Sequence, residues 1–174
     1  MPLYQEPRWL RNVANLKIYG GKCDDFIDTY YMTKDIFSDN ENIKTKEDFK
    51  NSYDNIILDV AVARDDKNEI VCASYIFPFG YRAVNFTGYA QKDYHNPAIT
   101  LECAKAMLRY YFEKYNTINR IDAMGRINNR VSRWFITKLG FKRIGTIPKF
   151  GIVGNTEVDY YFSTLLREEA LKWA

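Results

Sequence analysis

Asp59 stands alone in the apolar run Ile56-Ile57-Leu58-Asp59-Val60-Ala61-Val62-Ala63. A buried carboxylate needs a partner, and one with a shifted pKa can take up a proton. Asp59 is therefore a candidate general base, although an ion pair within the core gives the same pattern. Glu69 opens the next strand and is the second carboxylate in the region. His95 is the only histidine of the chain. It can assist anion binding or titrate near neutrality, but no second catalytic group stands at a recognisable spacing from it. A polar loop residue ahead of a helix is the plainer account of it. Asn129 heads the segment Asn129-Arg130-Val131-Ser132-Arg133-Trp134-Phe135-Ile136-Thr137-Lys138-Leu139-Gly140-Phe141, where it fits a helix N-cap. Arg120, Arg126, Arg130, Arg133, Lys138, Lys142 and Arg143 concentrate positive charge, with Asp122 as a nearby counter-charge. They suit either an anion-facing surface or a solvated helix face. There is no Walker loop, dinucleotide fingerprint, zinc-ligand spacing or Ser/His/Asp set. No metal is expected.

These groups must be positioned by the elements around them. Leu16 to Tyr19 reads as a first strand, stopped by Gly20-Gly21. Phe26, Ile27, Tyr30, Tyr31 and Ile36 give helical spacing over Asp24–Phe37. Thr45-Lys46-Glu47-Asp48 predicts a capped helix reaching Tyr53. Ile56–Ala63, Ile70–Phe77 and Arg82–Gln91 then read as three strands with short connections, an antiparallel meander. Pro97–Tyr115 carries one apolar stripe (Leu101, Ala104, Leu108, Tyr111, Phe112, Tyr115) with Glu102, Lys105, Arg109 and Glu113 on the wetter side. Ile118–Met124 is a short strand. A helix over Asn129–Leu139 points Val131, Trp134, Phe135 and Leu139 inward, with Gly140 as its C-terminal cap. Phe141–Ile147 and Val158–Leu165 complete the strands. The last alternates Val158, Tyr160 and Phe162 against Asp159, Tyr161 and Ser163, as in a half-exposed strand. A short helix over Leu166–Trp173 ends the chain. The order β-α-α-β-β-β-α-β-α-β-β predicts an α/β (α+β) fold, a mixed sheet of about seven strands flanked by helices.

The chain has 174 residues, 47% of them hydrophobic and 27% charged, enough for one core and consistent with a single domain over 1–174. No apolar run is long enough for a membrane span, and the first residues lack the regions of a signal peptide. A cytoplasmic protein is expected. Cys23, Cys72 and Cys103 are odd in number and lie in apolar settings, so buried reduced thiols are expected. The net charge of +3 gives no reason of its own to invoke nucleic acid. Fourteen tyrosines and eleven phenylalanines suit an aromatic core, and tyrosines also suit protein interfaces.

The asparagine, serine, aromatic and Leu-Gly-Phe ending of Asn129–Phe141 resembles the last helix of the GNAT superfamily of N-acetyltransferases, and the element order is similar over nearly the whole chain. The long helix followed by a short strand and an Asn-led helix also resembles small GNAT-like proteins of bacteriophages. The resemblance implies acetyl-CoA as cofactor, its pyrophosphate held at the turn before the long helix. There the family pattern is Gln or Arg, two residues, Gly, one residue, then Gly or Ala. Glycines let the backbone approach the phosphates, and the helix N-terminus supplies positive dipole. The matching positions are His95, Asn96, Pro97, Ala98, Ile99 and Thr100. His95 takes the basic position, Ala98 and Thr100 replace the glycines, and Pro97 removes an amide. Asn129 matches the asparagine that faces the cofactor. The tyrosine many members place four residues before the Gly of Leu-Gly-Phe is Ile136 here, which has no proton to give.

These substitutions imply a degenerate acetyl-CoA site. They point to a GNAT-like module that binds a protein partner or a second copy of itself, such as a virion-associated bacteriophage component in the host cytoplasm or virion. The alternative is an acetyl-CoA-dependent N-acetyltransferase acting on an amine, with His95, Asn96, Ala98, Ile99, Thr100 and Asn129 at the cofactor and Asp59 as the candidate base.

Overall fold

The structure is a computed structural model that describes residues 17–21, 45–53, 56–64, 67–68, 70–90 and 97–173. The helix expected over Asp24–Phe37, Glu69, and the pair His95 and Asn96 lie outside the described residues. Within them the chain runs β1 (Lys17–Gly21), α1 (Lys46–Tyr53), β2 (Asp59–Arg64), β3 (Ile70–Pro78), β4 (Ala83–Ala90), α2 (Pro97–Lys114), β5 (Arg120–Arg126), α3 (Arg130–Lys138), β6 (Lys142–Val153), β7 (Thr156–Leu166) and α4 (Arg167–Ala170). The strands form one mixed sheet of seven, in the order β1-β2-β3-β4-β5-β7-β6. Only the β4–β5 pair is parallel; α2 supplies the crossover between them. The mixed α/β architecture expected from sequence is the one observed.

Local chemistry explains the helix ends. Thr45 Oγ1 accepts from Asp48 N (3.1 Å) and Asp48 Oδ2 accepts from Thr45 N (2.9 Å), a reciprocal cap that opens α1. Pro97 occupies the first turn of α2, where a missing N–H costs no internal bond. Gly140, at φ +82°, ends α3. Its N–H reaches Thr137 O (3.0 Å) while Phe141 N–H reaches Ile136 O (3.2 Å), the crossed pair of a Schellman motif.

Packing follows the α2 stripe. Cys103, Met107, Leu108, Tyr111 and Phe112 are buried against one face of the sheet, where Ala61, Ile76, Val84, Phe86, Ile121 and Ala123 meet them. On the wet side Arg109 pairs with Glu113 (2.9 Å) and Lys105 with Glu102 (3.1 Å), contacts worth a few tenths of a kcal/mol each, roughly. A smaller cluster of Val60, Val62, Ala73, Tyr75 and Tyr89 occupies the opposite face.

Two expectations change. Val131 and Trp134 do not face inward: they are 77% and 46% exposed, whereas Leu139 is buried as expected, Phe135 is partly buried against the core, and Ile136 is buried with them. The cause is that α3 packs on one narrow seam and leaves its first turn at the rim of a cavity. The alternation of β7 resolves with Tyr161, Ser163 and Leu165 on the buried face, Tyr161 and Leu165 in the main core with Ile136 of α3. β6 runs through Pro148 to Val153, longer than expected. It is an edge strand, and its pairing with β7 skips between Ile147 and Gly151, so the proline breaks no ladder bond that must be kept. Among the described residues no helix is long and apolar enough to cross a membrane, and no His/Cys/Asp/Glu cluster could hold a metal.

Candidate active site

The parallel pairing of β4 and β5 lasts for only three rungs: Ala83↔Arg120, Val84↔Ile121 and Asn85↔Asp122. Beyond them β4 stays bound to β3 as far as Cys72↔Ala90, and β5 stays bound to β7 as far as Arg126↔Tyr160. The sheet therefore parts between its two central strands. The opening is a cleft of about 430 Å³, lined by Asn85 to Tyr89 on one strand and Ala123 to Arg126 on the other. A second cavity of about 300 Å³ reaches to Pro97 and Thr100 in the first turn of α2. Phe86, Gly88, Tyr89, Asn129, Ser132 and Phe135 line both, so the two form one channel from the helix N-terminus to the point where the strands part.

The α3 side of this channel carries a hydrogen-bonded hydroxyl pair. Asn129 Oδ1 accepts from Ser132 N (3.0 Å), which caps the helix and fixes its first turn. Ser132 Oγ lies 2.6 Å from Tyr161 Oη. Tyr161 comes from β7, directly across from Gly125 on β5. A β-carbon at Gly125 would lie 2.8 Å from Tyr161 Oη, so the absent side chain is what admits the phenol. Burial raises the Tyr161 pKa above the usual tyrosine value, while the Ser132 bond and the Arg133 charge pull it partly back. The net effect keeps the phenol protonated at neutral pH. Tyr161 was not identifiable from sequence: nothing near it in the chain marks it, and it reaches the site only through the β5–β7 register.

The residues proposed from sequence are dispersed. Asn129 and Thr100 line the channel, with Ala98 exposed and Ile99 half-buried beside Thr100 in the first turn of α2. Asp59 lies elsewhere, beneath the C-terminal end of α2. It is 6% exposed and accepts from Lys114 Nζ (2.7 Å), Tyr110 Oη (3.1 Å) and Val60 N (2.9 Å). Burial alone would lower the Lys114 pKa, but its bonds to Asp59 and Tyr110 outweigh that and raise it. This is a saturated ion-pair network, and Asp59 is not among the residues that line the channel. The basic residues also diverge: Arg120 pairs with Asp122, Lys142 with Glu169, and Arg143 donates to Thr146, while Arg126 lines the cleft.

No family model matches the sequence. The chain is 29% identical over 134 residues to the uncharacterised N-acetyltransferase YnaD of Bacillus subtilis (strain 168), covering 74% of this chain and 78% of that protein. A GNAT-family acetyltransferase from Bacillus anthracis superposes with a TM-score of 0.69 at 25% identity, covering 89% of this chain and 96% of that one. Spermidine N-acetyltransferase from Vibrio cholerae, in its complex with CoA and spermine, superposes with a TM-score of 0.75 at 15% identity over 91% and 99% of the two chains. The chain has the GNAT acetyltransferase fold. Ribosomal-protein-S5-alanine acetyltransferase from Vibrio fischeri shares this GNAT fold, with a TM-score of 0.69 at 15% identity over 92% and 96% of the chains. None of these likenesses supports the virion-associated, non-enzymatic module that the altered loop suggested; they favour the enzymatic alternative.

Proposed function

We propose that the chain is an acetyl-CoA-dependent N-acetyltransferase that acts on a primary amine. The observation that carries this reading is the parting of β4 and β5 over a channel that begins at a helix N-terminus and ends beside a buried, protonated tyrosine. A largely apolar channel with a positive helix end at its mouth suits a phosphate-bearing thioester arm. His95, Asn96, Ala98, Ile99 and Thr100 would hold the phosphate end, with Asn129 and Ser132 along the arm. Acetyl-CoA, when bound, supplies an acetyl group activated as a thioester.

The side chains of this GNAT-fold protein then divide the remaining work. Tyr161 holds a proton at Oη, fixed by Ser132, on the α3 side of the channel; such a proton suits a departing thiolate. This gives the fold a proton donor although Ile136 has none. The aromatic lining from Tyr75, Phe77, Tyr89 and Tyr160 on the other side of the cleft excludes water and shapes the acceptor pocket.

The test is calorimetric titration of the full chain with acetyl-CoA, followed by a thiol-release assay with spermidine, phosphinothricin and an alanine-initiated peptide. These are the acceptors named for proteins of similar structure. Micromolar binding with transfer to an amine is expected. Absence of binding at millimolar acetyl-CoA would refute the reading.

A further inference from the structure

The last rung before the strands part is polar and buried. Asn85 is 3% exposed and Asp122 is fully buried, and they face each other in register. Asp122 is in turn paired in register with Thr164 on β7. Side chains at paired positions share a face of the sheet, so Asn85, Asp122 and Thr164 form one row across three strands, with neighbouring strands about 4.8 Å apart. Asn85 Nδ2 and Thr164 Oγ1 are sealed from solvent and have no hydrogen bond. Between them Asp122 is ion-paired with Arg120, whose Nε lies 3.0 Å from Oδ1 and donates to Oδ2 at 3.0 Å. Buried polar atoms are ordinarily bonded, so two unbonded donors on either side of a carboxylate at the base of a cleft require a cause.

Their chemistry is complementary. Asp122 Oδ1 can only accept, whereas Asn85 Nδ2 and Thr164 Oγ1 on either side can donate. Asn85 is among the residues that line the cleft, and its Nδ2 is sealed. We infer that Asn85 is a catalytic residue of this acetyltransferase. In this inference its Nδ2 is drawn onto the Asp122 carboxylate, which turns its Oδ1 toward the cleft to accept an N–H of the incoming amine. Asp122 is a positioning residue, with Thr164 supporting it from behind.

The inference rests on the acetyltransferase reading and adds the acceptor side to it. In the transfer, the amine nitrogen forms a bond to the acetyl carbon with its lone pair and the carbon–sulfur bond breaks. The sulfur takes the Tyr161 proton, and the nitrogen sheds one of its protons to water, from which the phenolate is reprotonated. While the new bond forms, the nitrogen becomes positive. A carbonyl oxygen fixed beside it, backed by a buried carboxylate, stabilises that charge more than it stabilises the neutral amine. The acceptor must keep an N–H for Oδ1 throughout, which fits primary amines.

Two readouts test this. In ¹⁵N-labelled protein the Asn85 side-chain amide pair, assigned by its loss in Asn85→Ala, should shift clearly in Asp122→Asn. An Asn85 pair unmoved by Asp122→Asn would overturn the Asn85–Asp122 bond. In kinetics with whichever of spermidine, phosphinothricin or the alanine-initiated peptide the wild type acetylates, Asn85→Ala and Asp122→Asn should each lower kcat/KM for the amine by about tenfold, with acetyl-CoA Kd held within about twofold. Asn85→Ser, which retains a small polar side chain, guards against a folding artefact. Unchanged kcat/KM, or an equal loss of acetyl-CoA affinity, would overturn the inference. A wild type that binds no acetyl-CoA would instead refute the underlying enzymatic reading, and is told apart by that titration.

Discussion

Replacing Tyr161 by phenylalanine removes one oxygen and leaves the ring, its packing against Gly125 and the β5–β7 register in place. The structural cost is one buried hydrogen bond, the 2.6 Å contact with Ser132 Oγ. Such a bond contributes about 1 kcal/mol net, which for a chain of this size lowers Tm by about 2–4 °C. The chemical cost is different in scale. Loss of a positioned proton donor lowers kcat by about a hundredfold to ten-thousandfold, or about 3–5 kcal/mol of barrier. The two effects therefore separate cleanly. Thiol release at saturating acetyl-CoA and amine should collapse in Tyr161→Phe while the melting curve barely moves. Ser132→Ala keeps the phenol and frees it to rotate, so its kcat should fall by only about tenfold. Because burial raises the Tyr161 pKa, the alkaline limb assigned to this donor should lie above the usual tyrosine value. A Tyr161→Phe variant that retains kcat within about threefold of wild type would refute the role.

Gly125→Ala should reproduce much of that loss, because its β-carbon would lie within 2.9 Å of the phenol and must displace it; normal kcat in a folded Gly125→Ala protein would count against the placement of Tyr161. Asp59→Ala should cost about 1–2 kcal/mol of stability by denaturant titration and leave kcat/KM within about twofold, since Lys114 is 42% exposed and can turn to water. Stability should be level from neutral pH to near the ordinary tyrosine value and then fall. Burial raises the pKa of Tyr111 and Tyr161 in the folded chain, so the unfolded chain loses those protons first as pH rises. Absorbance at phenolate wavelengths should show these tyrosines ionising together with unfolding; ionisation well before unfolding would refute their burial.

The sequence revealed most where the determining chemistry is local. The stripe and salt pairs of α2, the Asn129 cap and the Gly140 stop depend on residues within a turn or two of each other, and each appears where its spacing places it. β7 was less legible because apolar and polar residues alternate along it without showing which face is covered; that depends on α3 arriving over Tyr161. Asp59 misled for a related reason. A carboxylate in an apolar strand looks the same whether its partner is a substrate or a lysine 55 residues later on a helix packed across the sheet. Ile136 misled in the opposite direction. Counting back along one helix shows that a phenol is missing there, but cannot show that another phenol enters from β7 at the rung of Gly125.

The arrangement of buried polar groups bears on whether this fold has been kept for packing alone. Several buried polar groups of the core are bonded, Ser74 with Tyr111 and Met107, and Asp59 with Tyr110 and Lys114, while Arg133 Nε is sealed without a hydrogen bond. Asn85 and Thr164 are unbonded on either side of the Asp122–Arg120 pair, at the rung where the sheet opens. A sealed donor without an acceptor costs about 1–3 kcal/mol, a cost that an apolar side chain at the same position would avoid. An unbonded carboxamide at the rung where β4 and β5 part is the group that the proposed acceptor site would use, and binding of an amine there would offset its cost.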